Sequence, residues 1–380
     1  MTIHWCGTGL SAIPGLRRLI ENGQTVTVWN RTADKAREAV GDLTDDIRVF
    51  DIDALGAALA PGDVVVSMLP GDWHVPLAEL AIDKGAHFVS SSYIAPEMRA
   101  LDDKARAAGV ALVNEVGLDP GIDHLMAHAL IADYRASAAF DADNHLSFIS
   151  YCGGIPKIPN AFRYKFSWSP LGVLKALRSP SRSIRNYAEL RVDRPWDAIS
   201  TYDAPLPGPE SFEVYPNRDS VPFMGEYGFE PHWTVREFVR GTLRLNGWSE
   251  AWNEVFREVE TLEGAAGDAR LKEMSDQFWT ENAYDEGEPD RVVLCVGLNA
   301  EKDGESVWHK TYVMDAWGDA RGTAMARLVS VPVSLAVESV LNREIAAGVH
   351  AAPSDPRLVQ NWMGEIDRLA QHLQVVDHLG

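Results

Sequence analysis

Cysteine is scarce, with three in 380 residues at Cys6, Cys152 and Cys295. Their separation offers neither a disulfide framework nor metal-ligand spacing, which fits a reducing, cytoplasmic setting with no bound metal. Positive charge is short too: 35 Lys and Arg stand against 55 Asp and Glu, a net charge of −20. That balance argues against nucleic acid or an anionic membrane surface as partner. No uninterrupted apolar run approaches the roughly 20 residues that span a bilayer. A glycine motif begins at Gly7, where a charged leader would lie, so no signal peptide is expected. There is no internal repeat and no low-complexity tract. What remains is a composition normal for a globular protein, 46% hydrophobic, in a chain long enough for two domains.

One stretch stands out, NEVGLDPGIDH at residues 114–124. It follows a short apolar run at 110–113 that reads as the last strand of a parallel sheet. Gly117, Pro120 and Gly121 interrupt the pattern, and an apolar helical pattern starts at once at 122–131. Glu115, Asp119, Asp123 and His124 are therefore expected at the carboxyl end of a strand and the mouth of a helix. In open α/β sheets ligands bind at that edge, and a helix N-terminus there offers free N–H groups to an anion. The plainer alternative is an acidic turn with Asp123 as a helix cap.

Near the start, an apolar run at 3–6 leads into Gly7-Thr-Gly9-Leu-Ser-Ala12 and then a helical pattern to about residue 21. This is G-x-G-x-x-A between a strand and a helix. Gly7 permits the tight turn, Gly9 lets the backbone approach a pyrophosphate, and Ala12 allows close packing of helix on strand. Gly7, Gly9, Leu10, Ser11, Ala12 and Ile13 are thus candidate dinucleotide contacts. The second strand, at 25–29, ends in Asn30-Arg31-Thr32. An NAD site would carry an acid there for the ribose 2′-hydroxyl. Asn30 can instead donate to a 2′-phosphate and Arg31 can pair with it, which favours NADP, with NAD possible.

Further strands are expected at 47–50, 64–69 and 87–90, with helical segments between and after them near 53–60, 74–84 and 95–108, as in a parallel sheet covered on both faces. Each strand end supplies a candidate ligand-edge residue. Asp51 could face the adenine, Leu69 and Pro70 the ribose or nicotinamide, and Leu118 in the later turn the cofactor as well. Ser92, after the fifth strand, can bind a carboxylate. Tyr93 can donate to a carboxylate or amine, or is an ordinary half-buried tyrosine.

Beyond residue 131 the texture changes. Residues 147–151 alternate as a half-buried strand and run into Cys152-Gly-Gly-Ile-Pro156, where Cys152 is either a proton carrier or a packing thiol. From 157 to 194 there are nine Lys and Arg against two acids. That excess suggests an anion site made of Arg163 and Lys165, or a surface that counters the acidic remainder. Arg218, in Tyr-Pro-Asn-Arg-Asp-Ser, has the rigid fork that suits a carboxylate, or is a solvated turn residue. Residues 250–290 carry thirteen acids against three bases and read as a solvated flank. A hairpin is expected around Asp303-Gly304, an apolar helix at 322–342, and an amphipathic helix at 356–378.

These motifs carry a resemblance. GTGLSAIP, SSSYIAPEM, NEVGLDPGIDH, ISYCGGIP, RYKFSWSPLGVL and YPNRDSVPF, spanning residue 7 to about 223, make the chain similar to the L-glutamate-forming saccharopine dehydrogenases. Weaker similarity reaches the C-terminus. The resemblance implies an α/β fold: a Rossmann domain at 1–124, an inserted α+β mixed-sheet substrate and dimerisation domain at 125–318, and helices at 319–380 returning to the first domain. It also implies a homodimer and NAD(P)-dependent cleavage of saccharopine to L-glutamate and 2-aminoadipate 6-semialdehyde, or the reverse condensation. Cofactor contacts carry over to residues 9–13 and 30–32. Substrate contacts carry over to Ser92, Tyr93, Asp119, Cys152, Arg218 and Thr242. Asp119 is the first candidate for the base that deprotonates the substrate amine, with Cys152 and Tyr93 as proton relays. Residues 157–163 depart from the family pattern, with Arg163 where a glycine is common. Related readings are a carboxyspermidine-type or lysine 6-dehydrogenase, which would want fewer arginines, and a nucleotide-binding protein without catalysis.

Overall fold

Short apolar runs alternate with amphipathic helices through the first third of the chain. In the computed structural model, which describes residues 1–380, they form β1 (Ile3–Cys6), α1 (Ile13–Glu21), β2 (Val26–Asn30), α2 (Ala33–Val40), β3 (Ile47–Val49), α3 (Ile52–Ala58), β4 (Val64–Ser67), α4 (His74–Lys84), β5 (His87–Ser90), α5 (Pro96–Arg99), α6 (Asp102–Ala108), β6 (Ala111–Val113) and α7 (Ile122–Ala136). Then follow β7 (His145–Pro156), α8 (Pro170–Ala176), β8 (Ser181–Arg185), β9 (Ala188–Val192), β10 (Ser200–Ala204), β11 (Glu210–Pro216), α9 (Pro222–Glu226), β12 (Thr234–Leu245), α10 (Trp248–Ala251), α11 (Asn253–Glu260), α12 (Gly264–Glu281), β13 (Asp290–Lys302) and β14 (Glu305–Trp317). The chain closes with α13 (Ala324–Leu341), β15 (Gly348–His350), α14 (Pro356–Asp367) and β16 (His372–Asp377). Two units result: residues 1–125 with 326–366, and residues 126–325 with 367–380.

The first unit holds a parallel sheet in the order β15-β6-β5-β4-β1-β2-β3. Every residue of β1 and β4 is buried, as expected of strands covered on both faces. The order reverses at β1, between β2 and β4, and there the carboxyl ends of the strands form the crevice in which such sheets bind dinucleotides. α4 and α6 stop at Gly85 and Gly109, whose φ values of 67° and 69° are left-handed and cost glycine little.

α13 completes this unit. It is apolar on nearly every side, and 83% of its length is buried, so it is a core helix rather than an amphipathic one. Its Ser330, Ser334 and Glu338 recur every four residues along one face and meet α1. The Gly15 N–H donates to Ser330 Oγ at 2.8 Å, Arg18 donates to Ser334 Oγ at 3.1 Å and pairs with Glu338 at 2.9 Å, and Asn22 donates to Glu338 at 3.3 Å. A Cβ on Gly15 would lie 1.9 Å from the Ser330 carbonyl oxygen, so only glycine lets the two backbones come this close.

The second unit carries a nine-stranded sheet, β10-β11-β12-β7-β13-β14-β16, with β8 paired to β12 and β9 to β8. β12 and β7 run parallel, and the β13–β14 hairpin turns at Asp303-Gly304. Against it lies an aromatic core of Tyr164, Phe166, Trp248, Trp252, Phe256 and Phe278.

Two elements differ from the sequence reading. The helix expected over 356–378 ends at Asp367, and residues 372–377 instead pair antiparallel with β14 as the outer strand of the second sheet. Val375 and Val376 suit a strand, and the pairing supplies backbone partners that an isolated helical turn lacks. The helical segment expected from 95 to 108 is two short helices, broken at Ala100–Leu101.

Replacing Gly15 by Ala should destabilise the protein by about 3 kcal/mol through overpacking. The control is Gly71→Ala, where an added Cβ meets nothing within 4 Å. Urea unfolding curves should separate the two variants; coincident curves would mean that the α1–α13 seam yields freely.

Candidate functional site

β1 delivers the chain to Gly7 at a φ of 105°, where a Cβ would lie 2.8 Å from the Met68 carbonyl oxygen. The Gly7 N–H donates to the Trp29 carbonyl at 2.8 Å, and the Ala12 N–H to the Gly9 carbonyl at 3.1 Å. Gly9 differs, since an added Cβ there meets nothing within 4 Å. Nothing in the protein demands glycine at that position, but a ligand lying against the backbone would. The open side falls at the start of α1, whose first N–H groups suit a phosphate. Leu10 is exposed, Ser11 half-buried and Ala12 buried, while Ile13 opens the helix. The loop therefore fits a dinucleotide.

At the end of β2 stands Asn30. Its Oδ1 accepts from the Thr8 N–H at 3.3 Å and its Nδ2 donates to the Thr32 carbonyl at 2.8 Å. The amide braces the glycine loop against strand two and commits one of its two amide hydrogens to Thr32. Arg31 is exposed and has no acidic partner, which leaves a cation for a 2′-phosphate beside Thr32. Asp51, expected to face the adenine, caps α3 by accepting from the Ala54 N–H at 2.8 Å. Leu69 and Pro70 follow β4, and the Leu69 Cδ2 lies 3.2 Å from where a Gly7 Cβ would sit. Leu118 is buried in the turn after β6.

That turn uses its ionisable groups unequally. Glu115, Asp123 and His124 are buried and bonded to their surroundings. Glu115 Oε1 accepts from the Ile94 N–H at 2.8 Å, and Oε2 lies 3.0 Å from His124 Nε2. Asp123 accepts from the Gly121 N–H at 2.7 Å. Glu115 adopts a φ of 55°, and its own N–H donates to the Ser92 carbonyl at 3.0 Å. Three of the four residues singled out from the sequence thus build the turn. Asp119 alone is not fully buried, and its Oδ1 accepts from the Tyr93 hydroxyl at 2.9 Å. Tyr93 and Asp119 are brought together as a phenol–carboxylate pair at the carboxyl edge of the sheet.

His74 was missed by sequence reasoning. It is the first residue of α4, 8% exposed, with Nδ1 2.9 Å from Ser67 Oγ and Nε2 2.8 Å from Ser92 Oγ. Burial pushes its pKa down to about 4, against the upward pull of Asp72.

In the second unit Cys152 on β7 and Thr242 on β12 are partners in the parallel register, and Tyr215 faces Thr242 from β11. Burial pushes the Tyr215 hydroxyl pKa up, against the downward pull of Arg244 and Thr242. Arg244, also missed, is 5% exposed and lies over Tyr164 at 4.8 Å, Trp248 at 5.4 Å and Tyr215 at 5.8 Å. Burial works against its charge; Tyr215, Tyr164 and Cys152 offset this, and the guanidinium stays protonated. No carboxylate pairs with it, and its Nε has no hydrogen-bond partner. A cation held this way costs several kcal/mol of desolvation without a matching anion. Arg218 lies outside this buried cluster. It is exposed at a φ of 56° in the turn after β11, and its carbonyl accepts from the Arg182 N–H at 2.9 Å.

The basic stretch 157–194 is not an anion site built on Arg163 and Lys165. Lys165 pairs with Glu288 at 2.6 Å, Arg178 with Asp268 at 2.9 Å, Arg182 with Asp219 at 2.8 Å, and Arg194 with Asp197 at 2.7 Å. Arg163 is exposed. Acids outside the stretch pair with four of its nine cations, which is the surface-countering alternative.

A parallel sheet in the order 3-2-1-4-5-6, with a glycine loop at its switch point and a phenol–carboxylate pair on the same edge, defines a dinucleotide-dependent oxidoreductase of the Rossmann type. Residues 3–113 match the saccharopine dehydrogenase NADP binding domain, and residues 117–369 the saccharopine dehydrogenase C-terminal domain. The chain belongs to the saccharopine dehydrogenase family. It is 29% identical to the NADP(+), L-glutamate-forming saccharopine dehydrogenase of Pyricularia oryzae and 30% identical to that of Saccharomyces cerevisiae, each over 95% of both chains. The solved apo structure of the L-Glu-forming saccharopine dehydrogenase from Saccharomyces cerevisiae superposes with a TM-score of 0.80, 26% identity and 99% coverage of both chains.

Two outcomes follow from this geometry. Gly9→Ala should leave the melting temperature unchanged and weaken NADP binding roughly tenfold or more, because the methyl group occupies ligand space; unchanged affinity by calorimetry would place the phosphates elsewhere. His74 is held neutral, so its stabilisation is complete above about pH 6.5 and fades as the pH falls towards about 4. Its share is at most about 3 kcal/mol. Urea unfolding at pH 7 and pH 5 should show a smaller loss in His74→Gln than in the unsubstituted protein.

Proposed function

We propose that the chain is an NADP-dependent, L-glutamate-forming saccharopine dehydrogenase, which oxidises saccharopine to L-glutamate and 2-aminoadipate 6-semialdehyde. One observation carries the choice of substrate: Arg244 is a buried cation without a carboxylate partner in a chain of net charge −20. A substrate with three carboxylates supplies the missing anion, whereas a polyamine or lysine would add more positive charge. The family relationship supports the same reading.

The reaction needs a deprotonated secondary amine before its carbon can release hydride, and that amine is protonated at neutral pH. Asp119 is the group proposed to take this proton. Tyr93 donates to one of its oxygens, which holds the carboxylate in one orientation at the carboxyl edge of the sheet. The nicotinamide ring supplies the redox chemistry when bound, accepting the hydride as the amine becomes an iminium ion. Water then adds to the iminium carbon and releases a proton. Protonated Asp119 returns its proton to the leaving nitrogen as the C–N bond breaks and the carbinolamine hydroxyl gives up its proton to solvent, giving glutamate and the aldehyde. Arg244, with Tyr215 and Thr242 beside it, is proposed to hold a substrate carboxylate, and Arg218 a second one. The homodimer implied by the resemblance belongs to the same proposal.

Reduction of NADP followed at the nicotinamide absorbance, with saccharopine, lysine and carboxyspermidine compared, tests this function. Saccharopine alone should support turnover. Asp119→Asn should lower kcat and remove the acidic limb of its pH profile. Arg244→Met should raise KM for saccharopine roughly 100-fold, the usual scale for losing a buried charge pair, with KM for NADP unchanged. Turnover of lysine in place of saccharopine would reject the assignment.

A further inference from the structure

The hydroxyl of Ser67 is buried, and His74 is its only hydrogen-bond partner. A buried donor left unpaired is costlier and rarer than an under-used acceptor. Ser67 therefore gives its hydrogen to Nδ1, which fixes the polarity of everything beyond it. With Nδ1 accepting, the neutral ring carries its hydrogen on Nε2 and donates it to Ser92 Oγ at 2.8 Å. Ser92 then receives a hydrogen bond and keeps its own hydrogen. Its only side-chain partner is His74, so that hydrogen points to no acceptor in the protein. The backbone around it is fixed from two sides, because the Ser92 N–H lies 3.4 Å from Ser90 Oγ and the Ser92 carbonyl accepts from Glu115. Had Ser67 accepted instead, Ser92 would donate inward and show only lone pairs to a ligand.

We propose that His74 is a positioning residue for substrate recognition: the relay Ser67–His74–Ser92 fixes the Ser92 hydroxyl as an outward donor, matched to a carboxylate oxygen of the substrate. Ring neutrality is what makes the relay one-directional. A protonated ring would donate on both sides and reverse the Ser67 bond. Burial and the place of His74 at the first residue of α4, where a positive charge meets the positive end of the helix, both favour the neutral form. The relay ends inside the protein at Ser67 and so does not shuttle protons; it orients one hydroxyl.

This inference rests on the reading of Ser92 as a substrate contact, and two variants with a spectroscopic measurement keep the two claims apart. In His74→Gln the side-chain amide reaches where Nε2 stood and can still donate to Ser92. In His74→Asn it reaches only where Nδ1 stood, and Ser92 loses its donor. KM for saccharopine should rise about tenfold or more in His74→Asn and much less in His74→Gln. KM for NADP should move in neither. Ser92→Ala combined with His74→Asn should be no worse than Ser92→Ala alone. Equal effects of the two variants on KM, or a change confined to NADP, would overturn the proposal. Independently of any substrate, nitrogen-15 imidazole spectra of the intact protein should show His74 as the Nε2–H tautomer at pH 7, with its Nε2 signal shifted in Ser92→Ala. An Nδ1–H tautomer would overturn the relay even in a protein that turns over saccharopine. The Nε2–H tautomer in a protein inert to saccharopine would preserve the relay and sink its assignment to that substrate.

Discussion

The buried carboxylate of Glu115 is the constraint on which the candidate active edge depends. One oxygen takes the Ile94 N–H from the segment after β5, and the other meets His124 at the start of α7. Its backbone N–H reaches the Ser92 carbonyl. One residue thereby ties together the two segments that carry Ser92, Tyr93 and Asp119. A non-glycine residue in the left-handed region costs on the order of 1 kcal/mol, and the three bonds offset that cost. Without the carboxylate, the Ile94 backbone donor would be left buried and unpaired and His124 would lose its Nε2 partner, which is more expensive than the strain.

The glycine loop has a similar dependence on something remote. α1 presents its first N–H groups to a phosphate only if its axis stays put. The axis is set by Gly15 lying against Ser330, more than 300 positions later in the chain. Asn30 adds the second brace, from the loop to the end of strand two. A cofactor loop that looks local in sequence is therefore shaped by the late helix, and that contact gives a physical reason for residues 326–366 to rejoin the first unit.

Much of this was legible in advance. Strands at 3–6 and 87–90 and the helix at 74–84 were readable to the residue, because apolar runs bounded by glycine and polar turns leave little freedom. The turn at 114–124 and the Tyr93–Asp119 pair were visible as residue types in the right places. Other features were not. β15 has three residues, too few for any periodicity. β16 gains strand conformation from β14, not from its own pattern. Arg244 sits in an alternating strand where any arginine reads as solvent-facing, and only the aromatic walls around it show otherwise. His74 looked like a helix-start residue, because Ser67 and Ser92 approach it only in the folded sheet. Arg163 and Lys165 looked alike in sequence, yet Glu288, more than 120 positions away, neutralises only one of them.

The pairing within 157–194 has a kinetic corollary. With four of those nine cations already paired with acids outside the stretch, the surplus of twenty negative charges is left for solvent to face. A polyphosphate cofactor and a tricarboxylate substrate must both diffuse towards a molecule of their own sign. Their encounter is slowed at long range and guided only over the last few ångströms, within a Debye length of roughly 8 Å at physiological salt. Added electrolyte should thus hasten capture of both reactants, the opposite of what electrostatically steered enzymes display.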